Sequence, residues 1–340
     1  MKKLLNTLYI STQGAYLSKE GECVVVSVDR VEKLRLPIHN LSGIVCFGNV
    51  MLSPFLMGFC AEKDVGVSFL SENGRFLARI KGPVSGNVLL RKTQYRISDD
   101  ESKSLEVARN MLVGKFSNSR VVLNRFIRDY GKDDEIEHIS GRLANQIPML
   151  GSALRIDELR GLEGDSAKLY FSVFNKLIRA QKEDFVFEGR NKRPPLDNVN
   201  ALLSFIYTLL AHDVESALET VGLDPAVGFL HRDRPGRASL ALDMMEELRP
   251  FFADRLVLSL INLQRITAKG FRKTQSGAVI MNDETRKTVL LAYQERKKEE
   301  LVHPFISEKM NIGLIPYIQA LLMARFIRGD LDAYPPFIWR

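Results

Sequence analysis

The chain has 340 residues, of which 45% are apolar and 26% charged, a globular composition that excludes a largely disordered or fibrous protein. Lys plus Arg number 48 against 41 Asp plus Glu, for a formal net charge of +7. This surplus permits nucleic-acid binding without establishing it. The length predicts two domains, because one core rarely grows past roughly 250–300 residues. No window approaches the ~20 uninterrupted apolar residues of a membrane span, and none is expected.

The N-terminus, from Met1 through Lys2 and Lys3 to Asn6, lacks the apolar core of a signal peptide. Up to residue 82 the chain reads as short strands: Leu8 and Ile10, Cys23 to Val26, Leu34 and Leu36, Gly43 to Phe47, Val65 to Leu70, and Phe76 to Ile80 after an Asn73-Gly74 turn. One helix interrupts them, with Ser53 as its cap, Pro54 in its first turn and Leu56, Met57, Phe59 and Cys60 inside. Cys23, Cys46 and Cys60 stand in apolar surroundings with no Cys-x-x-Cys pair. They read as buried thiols in a reducing compartment, so the cytoplasm is the expected location. Breakers from Gly82-Pro83 to Gly86-Asn87 mark the end of a β-rich domain (1–84) and the start of a linker (85–100).

From about residue 101 the period becomes helical. Leu105, Ala108, Met111 and Leu112 share a face, as do Val122, Leu123, Phe126 and Ile127. Further helices are expected over 136–150, 167–178, 199–210, 239–248, 255–261, 284–301 and 312–327, with an extended tail from Tyr334. Pro250 is expected to end the helix over 239–248, and the charged run from Glu295 to Glu300 to form a solvated face. The fold class is therefore α+β by segregation: a small β-rich domain with one helix, then a large all-α domain over 101–340.

Three stretches of the helical part carry chemistry. In the first, Gly161 and Gly164 bracket Glu163, which reads as the leading end of a helix; an acid there also complements the helix dipole. In the second, Gly228-Phe229-Leu230 delivers His231 into a loop with Arg232, Arg234 and Arg237. A neutral imidazole suits a divalent metal, and arginines suit phosphate oxygens. In the third, Asp243, Glu246 and Glu247 share a helix face; the ordinary alternative is a solvated face whose acids pair with Arg249 and Arg255. Together, carboxylates and imidazole are donors of the kind that hold Mg²⁺ or Mn²⁺. Basic stretches flank them: Arg190, Lys192 and Arg193, then Arg265, Lys269, Arg272 and Lys273. That combination is expected of phosphodiester chemistry. No nucleotide-binding glycine motif or Gly-x-Ser-x-Gly elbow occurs. His39, His138, His212 and His303 have no such context; His212 reads as the C-terminal end of its helix.

The order of these pieces resembles the CRISPR spacer-acquisition integrase family, the larger of the two universal adaptation proteins. The resemblance rests on Leu162-Glu163-Gly164, on Arg190 to Pro195 followed by Asp197 to Tyr207, on Gly222 to His231, and on Arg234 to Glu247. It implies a β-sandwich-like N-terminal domain used for dimerisation and a helical catalytic domain. It implies Glu163, His231 and Glu246 as ligands of Mg²⁺ or Mn²⁺; many members carry Asp at the third position. Asp243, one turn before Glu246, stands behind it as a residue that assists the ligands or replaces one of them. The implied reaction is a transesterification, in which the 3′-hydroxyl of a foreign DNA fragment attacks a phosphodiester of the CRISPR repeat, with associated DNA nuclease activity. The implied partners are double-stranded and branched DNA, a second copy of the chain, and a small ferredoxin-like adaptation protein. Arg190, Lys192, Arg193, Arg232, Arg234, Arg237, Arg265, Lys269, Arg272 and Lys273 are the expected DNA contacts. A non-catalytic DNA-binding scaffold and a structure-specific repair nuclease stand as alternatives.

Overall fold

The computed structural model describes residues 6–72, 74, 76–80, 88–191 and 194–339. The β-rich part comprises β1 (Asn6–Ile10), β2 (Tyr16–Glu20), β3 (Cys23–Val28), β4 (Val31–Pro37), β5 (Leu41–Phe47), β6 (Met51–Leu52), α1 (Pro54–Glu62), β7 (Gly66–Leu70) and β8 (Phe76–Ile80). These form two four-stranded sheets, in the orders β1-β5-β7-β8 and β4-β3-β2-β6. Strands β1, β5 and β7 pair in parallel. Parallel neighbours need a crossover, which between β5 and β7 is α1. Ser53 caps α1 by accepting the Leu56 N–H at 3.2 Å. Alternation turns Val24 and Val26 of β3 and Ile44 and Cys46 of β5 inward. They share one core with Leu56, Phe59 and Cys60 of α1, so the two sheets close over a common interior as a sandwich does. Burial pushes the Cys46 thiol up to about 12 and the Cys60 thiol up to about 11, which keeps both protonated and unreactive; Cys23 is half-buried.

The second part is mostly helical: α2 (Val88–Asp99), α3 (Glu101–Tyr130), α4 (Asp134–Ser152), α5 (Ile156–Ser172), α6 (Asn198–Thr220), α7 (Ser239–Met245), α8 (Arg255–Asn262), α9 (Asp283–Lys298) and α10 (Ile315–Arg328). Several expectations need correction. Residues 88–99 are a helix rather than linker, and the breakers over 81–87 lie outside the described residues, as does Asn73. The domain is not all-α: β9 (Phe271–Lys273) with β10 (Val279–Met281), and β11 (Glu300–Val302) with β12 (Lys309–Asn311), form two small antiparallel hairpins. The helix expected over 167–178 starts much earlier, at Ile156, with Asp157 and Glu158 in its first turn. Gly161 and Gly164 sit inside it facing open space, so they weaken the helix without breaking it. Pro250 does not end the chain's helical path. Glu246 and Leu248 donate to carbonyls three residues back, and Arg249–Asp254 then winds as a π turn leading into α8. A proline without an N–H fits where the hydrogen-bond register changes. The run 295–300 is not fully solvated: Lys297 is buried and ion-pairs with Asp213 at 2.9 Å.

Helix α6 is the central helix, buried along Val199, Leu202, Leu203, Ile206, Leu209 and Leu210, which accounts for its apolar length. The sheet side packs on it: Phe47 of β5 lies 5.9 Å from Phe205 between ring centroids. The turn at Gly74 (φ +82°) comes so close to Phe205 that a Cβ would stand 2.7 Å from its ring. Arg79 of β8 reaches Glu215 at 2.9 Å and Glu219 at 3.0 Å, with its guanidinium 3.3 Å from His212 Nδ1. His212 is therefore mid-helix, and burial, then Arg79, pulls its pKa down to about 4.

The extended tail is stapled into the helical core. Glu247, fully buried, accepts from the Tyr334 hydroxyl at 2.6 Å, Gln319 Nε2 at 2.9 Å and the Phe337 N–H at 2.9 Å. Asn118 of α3 ties the same segment, donating to the Glu247 and Phe337 carbonyls and accepting the Trp339 N–H. Despite these donors, burial pushes the Glu247 carboxyl from 4.5 up to about 7. The folded chain therefore holds a proton that the unfolded chain releases between about pH 4.5 and pH 7, so stability falls as pH rises through that window and levels above it. Glu247→Gln is expected to flatten this slope. It also costs about 1–3 kcal/mol, because an amide N–H₂ now faces donors. Thermal melts with chelator from about pH 5 to about pH 8 check both effects; an unchanged slope would refute the assignment.

Candidate metal centre and basic surface

Glu163 lies in the middle of α5 and faces α3. Opposite it stands Lys115 of α3, buried, with its ammonium in contact with Glu163 Oε1 and 2.8 Å from Glu246 Oε2. Glu246, one residue past α7, is 2% exposed and turns its other oxygen to Arg249 Nη1 at 2.7 Å. Burial pushes the Glu246 carboxyl up, but Arg249 and then Lys115 outweigh it and bring it down to about 2. Burial likewise pulls Lys115 down, while Glu246 and Glu163 hold it above its ordinary value. Gly114 permits this closeness: a Cβ there would meet Glu247 Cβ at 3.0 Å and Pro336 Cβ at 3.1 Å. The acids of the third stretch are therefore not a solvated face. Of the basic partners expected for them, Arg249 is present, whereas Arg255 stacks on Trp339 at 4.3 Å.

His231 is oriented from behind. Asp243, fully buried, accepts the backbone N–H groups of Phe229 (2.7 Å), Leu230 (2.9 Å) and His231 (3.0 Å), and faces His231 Nδ1 at 2.5 Å. A carboxylate surrounded by donors is an acceptor, so Nδ1 carries the hydrogen and Nε2 presents its lone pair. Gly228 makes room, since a Cβ there would stand 2.7 Å from Asp243 Oδ2. Helix α2, in the stretch expected to be linker, carries this loop: Gln94 bonds the Asp224 and Val227 carbonyls, and Ser98 bonds that of Gly228. Arg160, one turn before Glu163, donates to the Leu230 carbonyl at 2.7 Å and pairs with Asp157, which also holds Arg232 at 3.1 Å. Sequence motifs do not mark Lys115 or Arg160. For Lys115 a signal exists: it lies four residues after Met111 and before Ser119, on the buried stripe of α3.

The donor chemistry, two carboxylates and a free imidazole nitrogen, fits a hard divalent cation. Glu246 Oε2 is buried without a hydrogen bond; its 2.8 Å contact with Lys115 is an ion pair outside hydrogen-bond geometry. Among the described residues, however, no three His, Cys, Asp or Glu side chains are close enough to share one ion. The structure joins Glu163 and Glu246 through Lys115, while His231 turns its Nδ1 to Asp243. Glu163 lines a hollow of about 530 Å³ with Lys115, Arg190, Tyr207, Arg249 and Asp254. His231 lines another of about 270 Å³ with Arg160 and Arg232.

The basic residues divide. Arg190 is tied inward, to Asn200 at 2.6 Å and Ser204 at 3.1 Å, and it and Arg249 lie against the Tyr207 ring at 5.3 and 5.0 Å. Its guanidinium therefore organises the hollow's wall. Arg232, Arg234, Arg265, Lys269, Arg272 and Lys273 are exposed or half-buried, as is Arg237; Arg265 pairs with Glu295 at 2.9 Å. Lys192 and Arg193 lie outside the described residues.

A β-sandwich-like part joined to a helical part that carries an acidic pair and an aspartate-oriented histidine defines the class of two-part protein that the sequence motifs resemble. The chain belongs to the Cas1 family: the profile described as CRISPR associated protein Cas1 matches residues 8–295. It is 57% identical over 343 residues to CRISPR-associated endonuclease Cas1 1 of Chlorobaculum tepidum, covering 100% of each chain. It is 53% identical to CRISPR-associated endonuclease Cas1 2 of Rhodospirillum rubrum, again covering 100% of each. Its fold is that of a Cas1 protein from Thermotoga maritima, with a TM-score of 0.83 at 24% identity over 96% of this chain and 97% of that one. A casposase bound to its integration product superposes at a TM-score of 0.86 with 21% identity, covering 99% and 95%.

Proposed function

We propose that this chain is a divalent-metal-dependent DNA endonuclease and integrase of CRISPR adaptation. The observation that carries the reading is the geometry of Glu163, Glu246 and His231: two carboxylates already drawn to one cation, and an imidazole whose Nε2 is freed by Asp243. The full-length relatives named endonucleases support it. Mg²⁺ or Mn²⁺ held by these residues would supply Lewis-acid polarisation of the phosphate and a more acidic attacking hydroxyl. Glu163 and Glu246 provide the negative charge that retains such an ion. Asp243 fixes the tautomer of His231, and Arg249 keeps Glu246 ionised in its buried position. Arg190 and Tyr207 shape a wall against which a nucleotide can settle. A 3′-hydroxyl as nucleophile gives strand transfer; water gives cleavage.

Double-stranded and branched DNA are the proposed substrates, with backbone contacts from Arg232, Arg234, Arg237, Lys269, Arg272 and Lys273. A homodimer and a small ferredoxin-like partner complete the assembly. Exposed Val31, Met51 and Phe55 on the β part support dimerisation there.

The test is plasmid integration by the purified chain with the small partner, repeat DNA and Mn²⁺. Activity should vanish with chelator and return with metal, whereas a scaffold would show no chelator-sensitive chemistry. Duplex binding should weaken steeply with salt. Replacing Lys269, Arg272 and Lys273 together by Ala should reduce the slope of log K against log salt by about 0.9 for each phosphate that is no longer neutralised. An unchanged slope would remove β9 and its preceding turn from the interface.

A further inference from the structure

Lys115 belongs to no motif that points to metal or phosphate, yet its ammonium stands where the two carboxylates converge. We propose that Lys115 is a resident cation: it holds Glu163 and Glu246 together before a divalent ion arrives, and it must leave for that ion to bind. The inference rests on the metal-site reading above and deepens it.

Charge comes first. Glu246 is 2% exposed and the Glu163 side chain 29%, so two carboxylates meeting at that depth repel unless a cation lies between them. Lys115 supplies it, touching both. Arg249 does not, because it engages the other oxygen of Glu246. The backbone of Lys115 cannot retreat, since Gly114 is pressed against Glu247 and Pro336. The side chain can: its four-carbon stem borders the hollow of about 530 Å³, and an ammonium is a mobile point charge rather than a fixed fork. The ammonium takes the position that the two carboxylates share, and among the described residues no three His, Cys, Asp or Glu side chains are grouped closely enough to share an ion. Divalent metal and Lys115 then compete for the same oxygens, and Lys115 sets both the metal affinity and the stability of the metal-free chain. It is a positioning residue.

The experiment measures Mn²⁺ affinity, by the paramagnetic signal of free Mn²⁺, and thermal unfolding in chelator and in Mn²⁺, for the full chain and for Lys115→Gln, Lys115→Arg and Glu163→Gln. Lys115→Gln should bind Mn²⁺ about tenfold or more tightly than the parent. It should also melt lower in chelator and show a larger Mn²⁺-induced rise in Tm. Lys115→Arg keeps the charge in a fork that is harder to displace, so it should fold like the parent and bind Mn²⁺ more weakly; it decides the matter if Lys115→Gln does not fold. Mn²⁺ binding that depends on Glu163 but is equal in the parent, Lys115→Gln and Lys115→Arg overturns the role of Lys115 and leaves the metal site standing. Mn²⁺ binding that is absent, or indifferent to Glu163→Gln, overturns the metal-site reading and this inference with it.

Discussion

Glu163→Gln is expected to lower Mn²⁺-dependent cleavage and strand transfer by about 10³-fold, the rate equivalent of several kcal/mol of metal-borne charge stabilisation, with little loss of fold. The Glu163 side chain is 29% exposed and shares Lys115 with Glu246. Its neutral amide therefore leaves the ammonium still paired. Glu246→Gln should give the same loss of activity at a very different structural cost. Glu246 is the carboxylate that both Arg249 and Lys115 engage at 2% exposure. Neutralising it strands buried cations, a change that costs about 3–5 kcal/mol. Integration assays beside thermal melts separate the two variants. Parent-level activity in Glu163→Gln with metal present would end the assignment, whereas a Glu246→Gln protein as stable as the parent would show that Arg249 and Lys115 find other partners.

This difference between the two acids could not be read from the sequence. The segregation of strands from helices, the Ser53 cap and the central apolar helix followed from period and punctuation; the three candidate ligands are those that the family resemblance implies. What stayed hidden depended on tertiary contact. With Gly161 and Gly164 bracketing Glu163, the helix is expected only from 167, yet packing of α5 against α3 and α4 overrides the low propensity of these glycines. Residues 88–99 follow a breaker-rich run and read as linker, but their buried Leu90 and Gln94 make them the support of the His231 loop. Pro250 reads as a stop because local rules do not anticipate a π turn. Lys115 reads as one basic residue among 48. Its role arises only when Glu163, 48 positions away in sequence, and the still more distant Glu246 are brought to its ammonium.

Asp243 carries the second large effect, and its two substitutions should fail in different ways. Asp243→Ala removes the acceptor of three backbone N–H groups and of His231 Nδ1 in a fully buried place. At about 1–3 kcal/mol for each stranded donor, the loop from Phe229 to His231 should detach or the domain unfold. A Cβ added at Gly228 would stand 2.7 Å from Asp243 Oδ2, which shows how closely that loop is fitted to the carboxylate. Asp243→Asn retains the shape and one acceptor oxygen, but its amide donates. An amide N–H toward His231 Nδ1 makes that nitrogen the acceptor and moves the ring hydrogen to Nε2, where it blocks a metal. Asp243→Asn should therefore stay folded, with a lower Tm, and lose about 10–100-fold in Mn²⁺ affinity. Nitrogen chemical shifts of the His231 ring report the tautomer directly. A ring that keeps its hydrogen on Nδ1 in the variant, with parent-like Mn²⁺ affinity, would mean that Asp243 anchors the loop without governing the imidazole.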